Sequence, residues 1–86
     1  MNLNYQNAIT ASLDAHAQSR GYTDAADAIS YANSEEPTFE WEARSIIRHR
    51  DEARKALLKT LVDIEAGGTA PTVGAFIASL PELKWL

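Results

Sequence analysis

The feature that most restricts this chain is a run of 28 residues, 39–66, that contains neither glycine nor proline. Ala, Leu, Glu, Arg and Lys dominate the run, and such residues lose little on entering a helix. At about 1.5 Å per residue it predicts a rod of roughly 40 Å, long for a chain of 86 residues. Thr38 is placed to cap it, Glu40 and Glu42 sit at the positive end of its dipole, and Gly67-Gly68 ends it. Any fold must be built around that rod. At this length a chain buries only about 60% of its unfolded surface, which excludes a two-domain cofactor enzyme. Of its 39 hydrophobic residues 15 are alanine, and only two valines and six isoleucines are present. That balance favours helix over sheet.

Three shorter elements complete an all-α reading. Tyr5, Ile9, Leu13 and Ala17 recur at i, i+4 and predict a helix over about 4–20, with Asn4 as cap and Gly21 at its end. Thr23-Asp24 opens a second helix over about 24–32, whose small face is Ala25, Ala28, Ile29 and Ala32. Asn33 to Pro37 reads as a loop. Thr72 caps a last helix over about 73–79, with Phe76, Ile77 and Leu80 as its apolar face, and Pro81 starts an extended tail over 81–86. The expectation is one domain, 1–86, a bundle of three to four helices. Between Ile47 and Ala56 the long helix carries Arg48-His49-Arg50-Asp51-Glu52-Ala53-Arg54-Lys55, where only Ala53 is apolar. This middle is expected to be solvated, bridged by acids or covered by a partner, not buried in an ordinary core. Trp85 is expected to fold the tail back onto the bundle or to anchor a partner.

Charge is unevenly spread. Residues 1–43 have a net charge of −6, residues 44–59 of +4 and the remainder of −2, for −4 overall. The asymmetry favours pairing within or between chains over nucleic acid, because the acidic remainder repels a phosphate backbone. Pairs within the basic stretch are expected between Glu40 and Arg44 and between Asp51 and Arg54 or Lys55. No segment is apolar for long enough to span a bilayer, and residues 1–6 lack the basic and apolar regions of a cleaved signal. A cytoplasmic chain is therefore expected.

Catalysis finds no support. There is no cysteine, hence no disulfide and no thiolate nucleophile. The two histidines, His16 and His49, have no partners at a metal-ligand spacing and are read as solvated. Ser12 and His16 share a helix face without a third group or an oxyanion hole. Gly67-Gly68-Thr69 lacks the length and lysine of a phosphate loop. No catalytic, metal or cofactor residue is assigned.

The series Leu13-Asp14, Arg20-Gly21-Tyr22, Ile29-Ser30-Tyr31-Ala32, Pro37-Thr38-Phe39-Glu40, Glu42-Ala43, Arg50-Asp51, Ala66-Gly67, Pro71-Thr72, Leu80-Pro81 and Trp85 resembles small tailed-bacteriophage proteins of the tail-fibre assembly or tail-assembly-chaperone type. The likeness runs from about residue 8 to 86. It departs at His49, where the family pattern carries an aromatic, and at Trp85-Leu86, where Trp-Pro is usual. The resemblance implies a phage- or prophage-encoded, non-enzymatic product that acts in the host cytoplasm or the virion tail by binding a fibre or tail subunit.

On this reading Ile46, Ile47, Arg50, Arg54, Leu57 and Leu61 make the helix-borne contacts, and Phe76, Leu80 and Trp85 anchor the C-terminus. A homo-oligomer is also expected, because small domains gain missing burial that way. Two alternatives stand beside it. One is an acidic inhibitor of a host defence or regulatory protein using Asp24, Asp27, Glu35, Glu36, Glu40 and Glu42; the other is a nucleic-acid-binding helix.

Overall fold

A computed structural model describes residues 3–85 and contains four helices: α1 (Leu3–Gln18), α2 (Ala25–Ile29), α3 (Pro37–Glu65) and α4 (Val73–Ser79). No strand occurs among the described residues. The protein is all-α, with α3 as the long central element.

The two longest helices stop in the same way. After α1, Gly21 adopts φ +93°, Gly21 N donates to Gln18 O and Tyr22 N to Ala17 O. After α3, Gly67 adopts φ +98°, Gly67 N donates to Ile64 O and Gly68 N to Asp63 O. Both are Schellman closures, in which a residue with positive φ turns the chain so that the last carbonyls are satisfied. A Cβ on Gly68 would lie 2.8 Å from Asp63 O, so that close approach also requires glycine.

The starts depart from expectation in detail. Helix α3 begins at Pro37, ahead of Thr38, and its N-cap Glu36 makes no side-chain capping bond. Proline explains the earlier start, since its fixed φ suits the first helical position and its missing N–H is one the helix would leave unpaired. The cap of α2 is Asp24, which accepts from Asp27 N at 2.8 Å, while Asp27 accepts from both Thr23 N and Thr23 Oγ at 2.9 Å. Helix α2 ends at Ile29, short of 32, because Tyr31 N and Ala32 N reach back only three residues, to Ala28 O and Ile29 O. That is the tighter 3₁₀ pattern.

Helix α1 packs on α2, α3 and α4, and α2 also packs on α3. Its buried stripe is Tyr5, Ile9, Leu13 and Ala17, as expected. Small residues let the backbones approach: Ala17, Ala28, Ala43 and Ser45 have no exposed surface. Phe76 of α4 tilts against Tyr5 with ring centroids 5.1 Å apart, and Tyr5 Oη donates to Pro71 O.

The expectation for the middle of α3 is corrected. Its charged residues project outward, while Glu42, Ser45, Ile46, His49, Ala53 and Leu57 form one continuous buried stripe at three- and four-residue spacing. His49 is buried, not solvated. On the outward side Glu40 pairs with Arg44 and Glu52 with Arg48, each at 3.5 Å, and Asp51 pairs with Arg50 at 2.9 Å instead of with Arg54 or Lys55.

Leu57 is 1% exposed at the inner end of this seam. Leu57→Ala is expected to lower stability by about 2–5 kcal/mol, through lost transfer energy and the cavity left behind. Urea unfolding followed by circular dichroism checks this; a loss within about 0.5 kcal/mol would contradict the packing described.

Candidate functional site

The candidate site has two parts, and α1 contributes to both. The first is a groove of about 610 Å³ between α1, α2 and α3. Ile9, Leu13 and Ile29 give it an apolar floor, and Arg50 and Arg54 of α3 line it together with Asp14 and Asp24. Three carboxylates line this groove, yet each has a commitment inside the fold. Asp14 accepts from Ala25 N at 2.9 Å, Asp24 caps α2, and Asp51 takes both Nε and Nη2 of Arg50. Arg54 makes no ion pair among the described residues and is exposed. The groove therefore offers one uncommitted guanidinium above an apolar floor. A guanidinium recognises carboxylates through a planar fork of donors.

The second part is the clasp that holds the tail. His49 Nε2 lies 2.6 Å from Lys84 O and 2.9 Å from Lys84 N. The Lys84 backbone thus offers this one nitrogen an acceptor and a donor, and the histidine tautomer decides which is used. Trp85 stacks on His16 with centroids 4.3 Å apart, and His16 meets His49 edge-on at 5.8 Å. The Arg20 guanidinium sits 4.7 Å from the centroid of the Trp85 ring and donates to Glu42 Oε2 at 2.6 Å. Tyr22 Oη donates to the other Glu42 oxygen at 2.8 Å. A polar chain thus runs from the buried Glu42 through Arg20 to the tail, joining the end of α1, the first turns of α3 and residues 84–85.

Two groups in this chain titrate abnormally. Burial pushes the His16 imidazole below its ordinary range, helped by His49 and Arg20, while the Lys84 backbone pulls the other way. His16 Nε2 is buried without a hydrogen-bond partner, which also suits a neutral ring. Burial and the bond to Glu42 push the Tyr22 hydroxyl up to about 12.

The nine residues expected to contact a partner are scattered by the fold. Ile46 and Leu57 lie in the core at 0–1% exposure, so they are packing residues and not surface contacts, and Phe76, at 2%, is in the core against Tyr5. Arg50 and Arg54 share the groove. Ile47 is half-buried between Arg44 and Arg48 on the outer face of α3. Leu61, Leu80 and Trp85 are partly buried against the core, and Leu80 also lines a smaller cleft of about 180 Å³ beneath the tail. Phe39 and Trp41 are both 44% exposed.

Reading the sequence missed Glu42 and His49 as buried groups, and it missed His16 as the seat of Trp85. The available signal was spacing: 42, 46, 49, 53 and 57 fall on one helix face once polar residues are allowed on it. No group of three or more potential metal ligands occurs among the described residues, and no helix among them is long and apolar enough to cross a membrane. No family model, curated protein or solved structure matches the chain.

The clasp carries a pH dependence of defined sign. With its native pKa below 6.5, His16 binds fewer protons folded than unfolded. Its contribution is complete above 6.5 and is lost as pH falls through the folded value. The melting temperature is expected to drop between about pH 7.5 and pH 5.5, and to drop less in His16→Phe, which keeps a ring against Trp85 but cannot protonate. Equal drops in the two proteins, measured by thermal circular dichroism, would contradict a neutral His16 in the clasp.

Proposed function

We propose that this chain is a non-enzymatic docking module that seats a segment of a phage tail-fibre or tail subunit in the groove between α1, α2 and α3. The observation that carries the reading is the uncommitted Arg54 above Ile9, Leu13 and Ile29. This arrangement fits a segment that places an apolar side chain on the floor and a carboxylate against the guanidinium. Arg50 stands one helical turn before Arg54, held by Asp51, and can exchange that surface pair for a partner carboxylate at little cost.

The class of partner rests on the resemblance, whose Arg50-Asp51 and Leu13-Asp14 elements fall on this groove. The module covers an apolar and acidic patch of a fibre or tail subunit in the host cytoplasm until that subunit trimerises or attaches. Binding of this kind draws on a few central anchors, with arginine prominent among them.

The test is capture of the fibre or tail subunit by the tagged chain from phage-producing cells, quantified by mass spectrometry. Arg50→Glu together with Arg54→Glu is expected to cut capture at least about tenfold, since it sets like charges against the partner. The helical signal should be unchanged, because both side chains are exposed. Undiminished capture with intact helicity would contradict docking in the groove.

A further inference from the structure

The outer end of α3 has a surface that the rest of the chain leaves uncovered. Beyond Leu57 the helix continues for two turns, in which Leu58 is 56% and Val62 63% exposed. Leu61 turns inward, partly buried against the core. Lys55, Leu58, Val62 and Glu65, all exposed, follow one another at intervals of three, four and three residues. That is the spacing of a coiled-coil seam, here with two apolar positions flanked by a base and an acid.

The charges on this stretch are arranged against the helix that carries them. Asp63 and Glu65 lie at the negative end of the α3 dipole, and no base occupies the last turn. Lys59 precedes Asp63 by four residues, the poorer orientation for a pair within one helix. None of Lys55, Lys59, Asp63 and Glu65 forms an ion pair among the described residues. Within one chain, both the apolar seam and its flanking charges lack partners.

We propose that this end of α3 is a homodimer surface, on which a second copy of the chain crosses antiparallel about a two-fold axis near Thr60. In that register Leu58 meets Val62 of the second copy and Val62 meets its Leu58. The outer layers bring Lys55 against Glu65 of the second copy and Glu65 against its Lys55. Each copy supplies the cation that the other's acidic helix end lacks. A parallel crossing sets Lys55 on Lys55 and Glu65 on Glu65, so charge complementarity selects the antiparallel one. Four layers bury less than the roughly 1,200 Å² of a standard interface, so dimerisation depends on concentration. The surface lies apart from the groove and does not rest on the function proposed above.

The experiment is sedimentation of the full chain over a concentration series, joined to single-cysteine crosslinking, for which the cysteine-free sequence gives a clean background. The mass should rise with concentration to twice 9.4 kDa. Val62→Glu should raise the dissociation constant at least about tenfold and remain helical, since Val62 is exposed. Lys55→Glu should weaken the dimer, and adding Glu65→Lys should restore it. Under mild oxidation a mixture of Lys55→Cys and Glu65→Cys should yield the mixed 55–65 disulfide. A monomer at about 1 mM protein, a dimer indifferent to Val62→Glu, or 55–55 and 65–65 products in place of the mixed one would each overturn the proposal.

Discussion

Two positions of the seam that α3 turns toward the bundle are ionisable or strongly polar, Glu42 and His49, and both are buried. A buried carboxylate is costly unless charged and neutral donors meet it. Arg20 and Tyr22 meet Glu42, and both belong to the turn that Gly21 creates at the end of α1. His49 is met by the backbone of Lys84. These two requirements fix where the end of α1 and the tail must lie. The apolar stripe of α1 then falls on Ile46, Ala53 and Leu57, and the remaining contacts follow.

A consequence is that the C-terminal tail is part of the fold. The ring of His16 is a platform for Trp85, and Arg20 both holds Glu42 and lies over the indole ring. Stacking, cation–π attraction and a carboxylate pair share one guanidinium and two rings, so the loss of one is felt by the others. The exposed charges of α3 behave differently. Arg44, Arg48 and Arg50 have acidic neighbours on the surface, where each pair is worth little. Their value lies in leaving Arg54 as the uncommitted base beside the groove.

Most of the architecture was legible in the sequence because it depends on local signals. The i, i+4 stripe of α1, Gly21 and Gly67 after their helices, and the glycine- and proline-free run of α3 each correspond to an element of the fold. The seam of α3 was not legible by hydrophobicity, since Glu42 and His49 are buried through partners 20 to 35 residues away. The contact residues were only partly legible for the same reason. Ile46 and Ile47 are adjacent in sequence, yet one is fully buried and the other half-exposed, which only packing decides. Arg50 and Arg54 could be paired by spacing, but the apolar floor opposite them belongs to α1 and α2.

We propose that a fibre or tail subunit docks in the groove between α1, α2 and α3. Site-specific photo-crosslinking in phage-producing cells tests it most directly, with the probe at Thr10 or Ala26 on the groove and at exposed Ala78 on α4 as the control. Adducts with a fibre or tail subunit are expected from positions 10 and 26 and none from 78. Adducts only from 78, or groove adducts only with a host nucleic-acid-binding protein, would contradict it.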